Sequence, residues 1–475
     1  MNGMKFPRLR SLIRVGLCIA ACLIFVACNK TGASKKLSPE AALPTRLDWN
    51  FKTLVDAYQK AGHTNPKWDE PAKRALTELA RSRSRCTESN EAWGLIISTN
   101  CIAAMDAGCD DPMIRYLYIR FCMNQTNSPK AFADAFCETA LEMEKSSYPN
   151  IRKFYEWQRA GQQVIYTYGY GTNVPPEVVR LGIWNLAATN LVDALSDRTM
   201  PPEEAYDACH EILGVWRGGK DQYYSLYHCI EKQLPDNWTN APIILLLKGE
   251  AYIEMAWQAR GGGYADKVTP EGWKLFAEHL AEADTALEKA WQLNSKDERI
   301  PIQMIRVDEG LQKSREEMEL WFTRAMTINP NCYEACEHKL HYLYPQWYGS
   351  REAMVAFGRE CLTSTNWGGN VPLILADAHR EYWLYLNDSE EKSNYWKLPD
   401  VWPEIKAAYD RFFELNPDAI GYYHNYAWYA YHAEQWDMLN ELIPKLGPVN
   451  YAYFGGRDEF DKMVQLAKEH GSKSK

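Results

Sequence analysis

The sequence predicts an all-α protein assembled from antiparallel helix hairpins. Three observations carry that prediction. From residue 46 onward almost every segment repeats its apolar residues at the helical period. No run alternates apolar and polar residues with the period of two that a half-buried strand needs. One piece of punctuation also recurs: LEKAWQLNSKD at 287–297, WFTRAMTINPN at 321–331 and YDRFFELNPDA at 409–419 each close a helical run with a hydrophobic residue, Asn, then Ser or Pro.

The chain opens with the basic stretch MNGMKFPRLRSLIR, followed by VGLCIAACLIFVA, an apolar run over residues 15–27. A bilayer-spanning helix needs about 20 apolar residues, so this shorter run reads as the core of a secretory signal, residues 1–27. Residues 28–45, CNKTGASKKLSPEAALPT, are polar and rich in Pro, Gly and Ser, which suits a flexible tether. An N-terminal helical region is expected over 46–235. In RLDWNFKTLVDAYQKAG, Leu47, Phe51, Leu54, Val55 and Tyr58 share one helical face. Further helices are expected at 70–84, 90–108, 111–125, 128–146, 151–169, 175–197, 201–219 and 221–234. Pro or Asp often stands at their starts and Gly or Asn near their ends, as helix caps and stops require. A helical repeat region follows over 236–470, and 471–475 form a disordered tail.

The bulk properties bound the function. The 475 residues are 46% hydrophobic and 24% charged, an ordinary globular balance. Net charge is −9, and without Lys5, Arg8, Arg10 and Arg14 of the leader it falls to −13. Nucleic acid is excluded as a partner, because it demands clustered cations to replace its counterions. The 18 Trp and 29 Tyr serve first as bulky filler between packed helices.

Asn294 and Asn329 are 35 residues apart, and Asn329 and Asn416 are 87 apart, two such periods plus an insertion. That period is the spacing of a helix pair. Ala283, Leu287, Ala290 and Ser295 occupy the places of Met318, Phe322, Ala325 and Pro330, and of Ile405, Tyr409, Phe412 and Pro417. Gly249, Tyr252 and Ala427 stand at matching places in the first helices of pairs. Over roughly 240–446 the chain resembles, in degenerate form, the tetratricopeptide superfamily. It also resembles a group of uncharacterised bacterial helical-repeat proteins, through AWQARGGGYADKVTPEGW at 256–273 and YPQWYGSREAMVAFG at 344–358. The resemblance implies an α-α superhelix used for scaffolding or binding, with no activity or cofactor attached. The segment FVAC at 25–28 resembles a bacterial lipoprotein signal, with Phe25 in place of the usual Leu. That resemblance implies acyl chains on Cys28 and attachment to a membrane of the cell envelope, facing the periplasm or the exterior. IAAC at 19–22 fits the pattern too, but cleavage there would leave an apolar stub.

Of the 13 cysteines, Cys18 and Cys22 fall in the leader and Cys28 at its end; ten remain. They form no CxxC pair and no zinc-like spacing. Exported cysteines can pair, and hairpin symmetry suggests three pairings. Cys209 and Cys229 are equidistant from Gly219; Cys122 and Cys137 straddle Ser128–Pro129; Cys361 lies opposite Cys332 or Cys336 across the 344–350 turn. Cys86, Cys101 and Cys109 have no such partner. The bland alternative is that all are small buried apolar residues.

Two loops carry candidate binding residues. QARGGGYAD lacks the following Lys and Ser or Thr of a phosphate loop, but gathers Trp257, Arg260, Tyr264 and Trp273, side chains of the recognition type. In PQWYGS, Trp347 and Tyr348 either pack on the next repeat or face a ligand. The helix segment EHKLH brings His338 and His341 near Glu334, yet without a third ligand it reads as a solvated face. His424 and His432 read as packing. No GxSxG, Ser/Lys pair or other catalytic motif is present. The expectation is therefore a membrane-anchored scaffold binding a protein or peptide. A surface glycan-binding lipoprotein is the alternative, and an α-helical hydrolase a third reading.

Overall fold

The structure, a computed structural model, describes residues 45–84, 90–123, 128–169, 174, 178–179, 182–216, 220–238 and 240–471. The expected leader, the expected anchor at Cys28 and the expected tether as far as residue 44, together with Cys86 and residues 472–475, lie outside the described residues. Among those described, every regular element is helical, as the periodicity predicts. The chain divides into two compact units, one running to His279 and the other from Leu280.

The first unit begins with α1 (Arg46–Phe51), a π-helical turn (Lys52–Asp56) and α2 (Ala57–Ala61). Then come α3 (Asp69–Arg83), α4 (Asn90–Asp106), α5 (Pro112–Cys122), α6 (Pro129–Lys145), α7 (Asn150–Tyr168) and α8 (Ile183–Ala194). From α3 to α8 each helix packs on the next. Asp111 and Ser128 accept from backbone N–H groups at the starts of α5 and α6, with Pro directly behind each. α9 (Pro202–Trp216), α10 (Lys220–Gln233) and α11 (Pro242–Arg260) pack mutually.

The expected stripe along 46–62 is only half correct. Leu54 and Tyr58 are buried, but Leu47, Phe51 and Val55 are half-buried, while Trp49, Asn50 and Thr53 turn inward. The π turn adds a residue to one turn of helix and shifts the register. The inward polar pair serves a buried cation: the Arg152 guanidinium donates to Asn50 Oδ1 at 2.7 Å and, through Nε, to Thr53 Oγ1 at 3.1 Å. Nearby, the fully buried Glu204 pairs with Arg46 (3.1 Å) and Arg83 (3.3 Å) and accepts from the Tyr155 hydroxyl at 2.8 Å. This network ties α1, α3, α7 and α9 together.

α12 (Pro270–Leu293) contains the division between units. The second unit continues with α13 (Arg299–Leu311), α14 (Arg315–Ile328), α15 (Tyr333–Tyr342), α16 (Arg351–Thr363) and α17 (Ile374–Tyr385). It ends with α18 (Ser389–Asn394), α19 (Val401–Leu415), α20 (Tyr423–His432), α21 (Trp436–Leu442) and α22 (Arg457–His470). α13 packs on α14 and α15, α16 on α17, and α17 on α15 and α19.

The recurring punctuation is a helix stop. Asn294, Asn329 and Asn416 each follow the last helical residue, and each donates its backbone N–H four residues back, to Ala290, Ala325 and Phe412. Asn294 and Asn329 then accept through Oδ1 from the N–H two residues on, closing a turn. The small residues before the stops are interior: Ala283, Ala290 and Ala325 are fully buried, as are Leu287, Met318 and Ile405.

The disulfide expectation is corrected: none of the nine described cysteines is disulfide-bonded to another. Helix register decides this. Cys122 turns toward α4, where its thiol donates to the Ser98 carbonyl at 3.5 Å, and Cys137 is buried on α6. Cys209 is fully buried, and it is Tyr227 of α10, two residues before Cys229, that lies close enough to interact with it electrostatically. Cys361 does meet Cys336 across the 344–350 turn, as thiol against thiol in a hydrogen bond, while Cys332 caps the start of α15. Burial pushes the Cys361 thiol far above its ordinary range.

Candidate binding cleft

The 257–273 residues form a closed local cluster. Arg260, in the last turn of α11, lies 5.7 Å from the Trp257 ring centre and 5.4 Å from that of Trp273. Both rings meet Phe276 edge-on, at 5.1 and 5.8 Å. The guanidinium donates to the carbonyls of Gly261 and Gly263, so its cation braces the Gly-rich loop against the helix end. Gly261 takes a φ of +74°, a conformation that favours glycine. Tyr264 stands outside this cluster, 75% exposed.

Trp347 and Tyr348 lean on their own helix pair and on the one before it. Tyr348 stacks on Tyr342 at 4.5 Å and donates its hydroxyl to the Glu309 carbonyl at 2.9 Å. Trp347 lies 5.9 Å from His341. The two histidines of EHKLH part company: His341 Nδ1 is 2.8 Å from Glu309, and His338 pairs with Glu334 at 3.6 Å. Neither belongs to a fully solvated face, and His338 is largely covered. His424 is buried, and His432 packs on Trp428 at 4.1 Å, where burial pulls its imidazole down to about 4.

The second unit holds a cleft of about 360 Å³ that the sequence reading missed. α14 supplies Glu319, Phe322 and Met326; α15 supplies Lys339; α16 supplies Glu360; the loop after α16 adds Asn366 and Trp367. Lys339 is its key residue. This lysine is only 4% exposed, yet its ammonium is 2.7 Å from Glu319 Oε2 and sits 4.2 and 4.4 Å from the ring centres of Phe322 and Phe357. A buried cation survives when paired and seated on aromatic faces. Phe322 in turn meets Phe357 and Trp367 edge-on, both at 5.6 Å. The cleft therefore combines aromatic walls with a fixed ion pair, an amide and a further carboxylate.

The helix stops build this site. The Gly368 N–H donates to the Pro330 carbonyl at 3.3 Å, and Asn416 Nδ2 donates to the Gly369 carbonyl at 2.9 Å. A Cβ on Gly368 would come within 2.7 Å of the Asn331 amide oxygen and would push that side chain aside, while Gly369, at a φ of +56°, takes a conformation that favours glycine. Two of the three repeated stops thus hold the loop that delivers Trp367. One signal could have pointed here. Lys339 falls on the stripe Ala335, Cys336, Leu340 and Leu343, all buried, and a lysine on an apolar stripe asks for a partner.

Among known proteins, no curated sequence matches the chain. Residues 265–366, which include most of the cleft, are similar to a family described as a domain of unknown function, DUF4034.

Proposed function

We propose that this protein is an envelope lipoprotein whose helical-repeat body binds a protein or peptide partner, with the Lys339–Trp367 cleft as the contact. The reading takes the stacked pairs as a tetratricopeptide-like superhelix, an architecture that presents extended surfaces to polypeptides. One observation carries it: the cleft mixes aromatic faces with an ion pair and an amide. A polypeptide offers side chains to the first and backbone groups to the second. A glycan platform would instead need flat exposed rings, and every described Trp side chain is buried or half-buried. The lipid anchor on Cys28 would hold the body at a membrane surface.

The test is capture from envelope extract with the full-length protein, followed by mass spectrometry and glycan analysis of what is bound. A polypeptide retained by wild type and by Tyr264→Ala, but lost with Trp367→Ala, supports the reading. Recovered polysaccharide supports the glycan alternative, and turnover of the captured molecule supports the hydrolase.

A further inference from the structure

α4 is apolar on the side that needs to be and also on the side that does not. Ile97, Cys101 and Ala104 are fully buried in the first unit, where α4 packs on α3 and α5. A helix covered on one face ordinarily carries polar residues on the other. Here Leu95 is 70% exposed, Ile96 41% and Ile102 44%, with Ala103 also exposed, and these positions form one stripe. No charged residue occurs between Ala92 and Met105. Apart from the exposed Thr99, the polar side chains of this stretch turn back on their own helix. The Ser98 hydroxyl donates to the Leu95 carbonyl at 3.0 Å, and the Asn100 amide to the Ile96 carbonyl at 2.8 Å. Such a face is shaped for an apolar neighbour rather than for water.

We propose that the outward face of α4 rests on the lipid bilayer surface to which the chain is tethered. The inference rests on the anchor reading of Cys28. The attachment of the fold to its tether argues for the bilayer as occupant. Cys28 and Thr45, the cap of α1, are 17 residues apart. Even fully extended, a chain of that length reaches no more than about 60 Å. α1 packs on α3, and α3 on α4; helix neighbours lie about 8–10 Å apart. The stripe is therefore within reach of the surface that holds the anchor. The tether carries Lys30, Lys35 and Lys36 against the single Glu40, a balance attracted to anionic headgroups despite the acidic body. Leu95, Ile96 and Ile102 enter the interface as the apolar side of an in-plane helix.

The experiment places a benzophenone-bearing residue at Thr99, in the stripe, or at Glu138, exposed on α6, in the acylated full chain. Each protein is reconstituted in vesicles of phosphatidylethanolamine and phosphatidylglycerol and irradiated. The expected result is lipid adduct at Thr99 several-fold above that at Glu138, falling to the Glu138 level when Ile96→Glu and Ile102→Lys are added. Vesicle-bound protein with equal adducts at both sites overturns the inference and leaves the anchor reading standing. A product of twice the chain mass from Thr99 identifies a second copy as the occupant and also overturns it. Protein not recovered with the vesicles overturns the anchor reading and this inference together.

Discussion

Ala290 and Ala325 are fully buried at the places where the repeat pattern asks for a small side chain. Ala290→Leu or Ala325→Leu overpacks the contact and is expected to cost about 1–3 kcal/mol. Lys289→Leu, on the exposed side of the same helix, is the control in thermal melts. Equal melting temperatures for the Ala290 and Lys289 variants would refute the alignment of the repeats. Glu156 offers a different test. It is 1% exposed, neither carboxyl oxygen has a hydrogen-bond partner among the described residues, and Asp111 and Glu142 lie near. Burial first, then these two acids, raises its carboxyl well above the ordinary carboxylate range. The folded form holds its proton where the unfolded chain, titrating near pH 4.3, releases it. Its contribution is therefore neutral below the unfolded value and increasingly destabilising as pH rises toward the folded one. Glu156→Gln should stabilise the protein at neutral pH and make little difference below about pH 4, measured by denaturant unfolding at several pH values.

At the scale of elements, the helices and their stops were legible because caps, small residues and apolar spacing are local signals. The register of 46–61 was not. Asn50 and Thr53 look solvent-facing until Arg152, about a hundred residues away, is known to need them. Lys339 was overlooked for the same reason, since its partner Glu319 stands on another helix. The pairings of Cys122 with Cys137 and of Cys209 with Cys229 missed on register too, because symmetry about a turn gives the level of two residues along a hairpin but not the direction in which each side chain points; Cys361 does face Cys336, as thiol against thiol. The Glu204 network tests how much such long-range polar contacts hold. Arg83, Arg152 and Arg46 outweigh desolvation and draw the Glu204 carboxyl down to about 2. Its stabilisation is thus present above the ordinary carboxylate range and lost as pH falls toward 2. Glu204→Gln leaves buried guanidinium groups uncompensated and should cost about 3–5 kcal/mol at pH 7. A loss below about 1 kcal/mol, typical of exposed pairs, would mean that solvent reaches the site.

At the scale of the whole molecule, attachment is the first thing to settle. Cys28→Ser should move the protein from the membrane to the soluble fraction on fractionation, while Cys22→Ser leaves it in place; the reverse result relocates the processing site. The helix stops then bear on how such a chain can change over time. Solenoids commonly gain or lose whole repeats, because each unit touches only its neighbours. Here Asn331 and Asn416 bracket the loop at Gly368 and Gly369 from either end of the intervening sequence. Excising or duplicating a pair between them would pull the loop from one of its two moorings and carry Trp367 away from Phe322. On the repeat architecture proposed above, the segment from α14 to α19 is therefore heritable only as one cassette, and repeats can be added more readily outside it than within it.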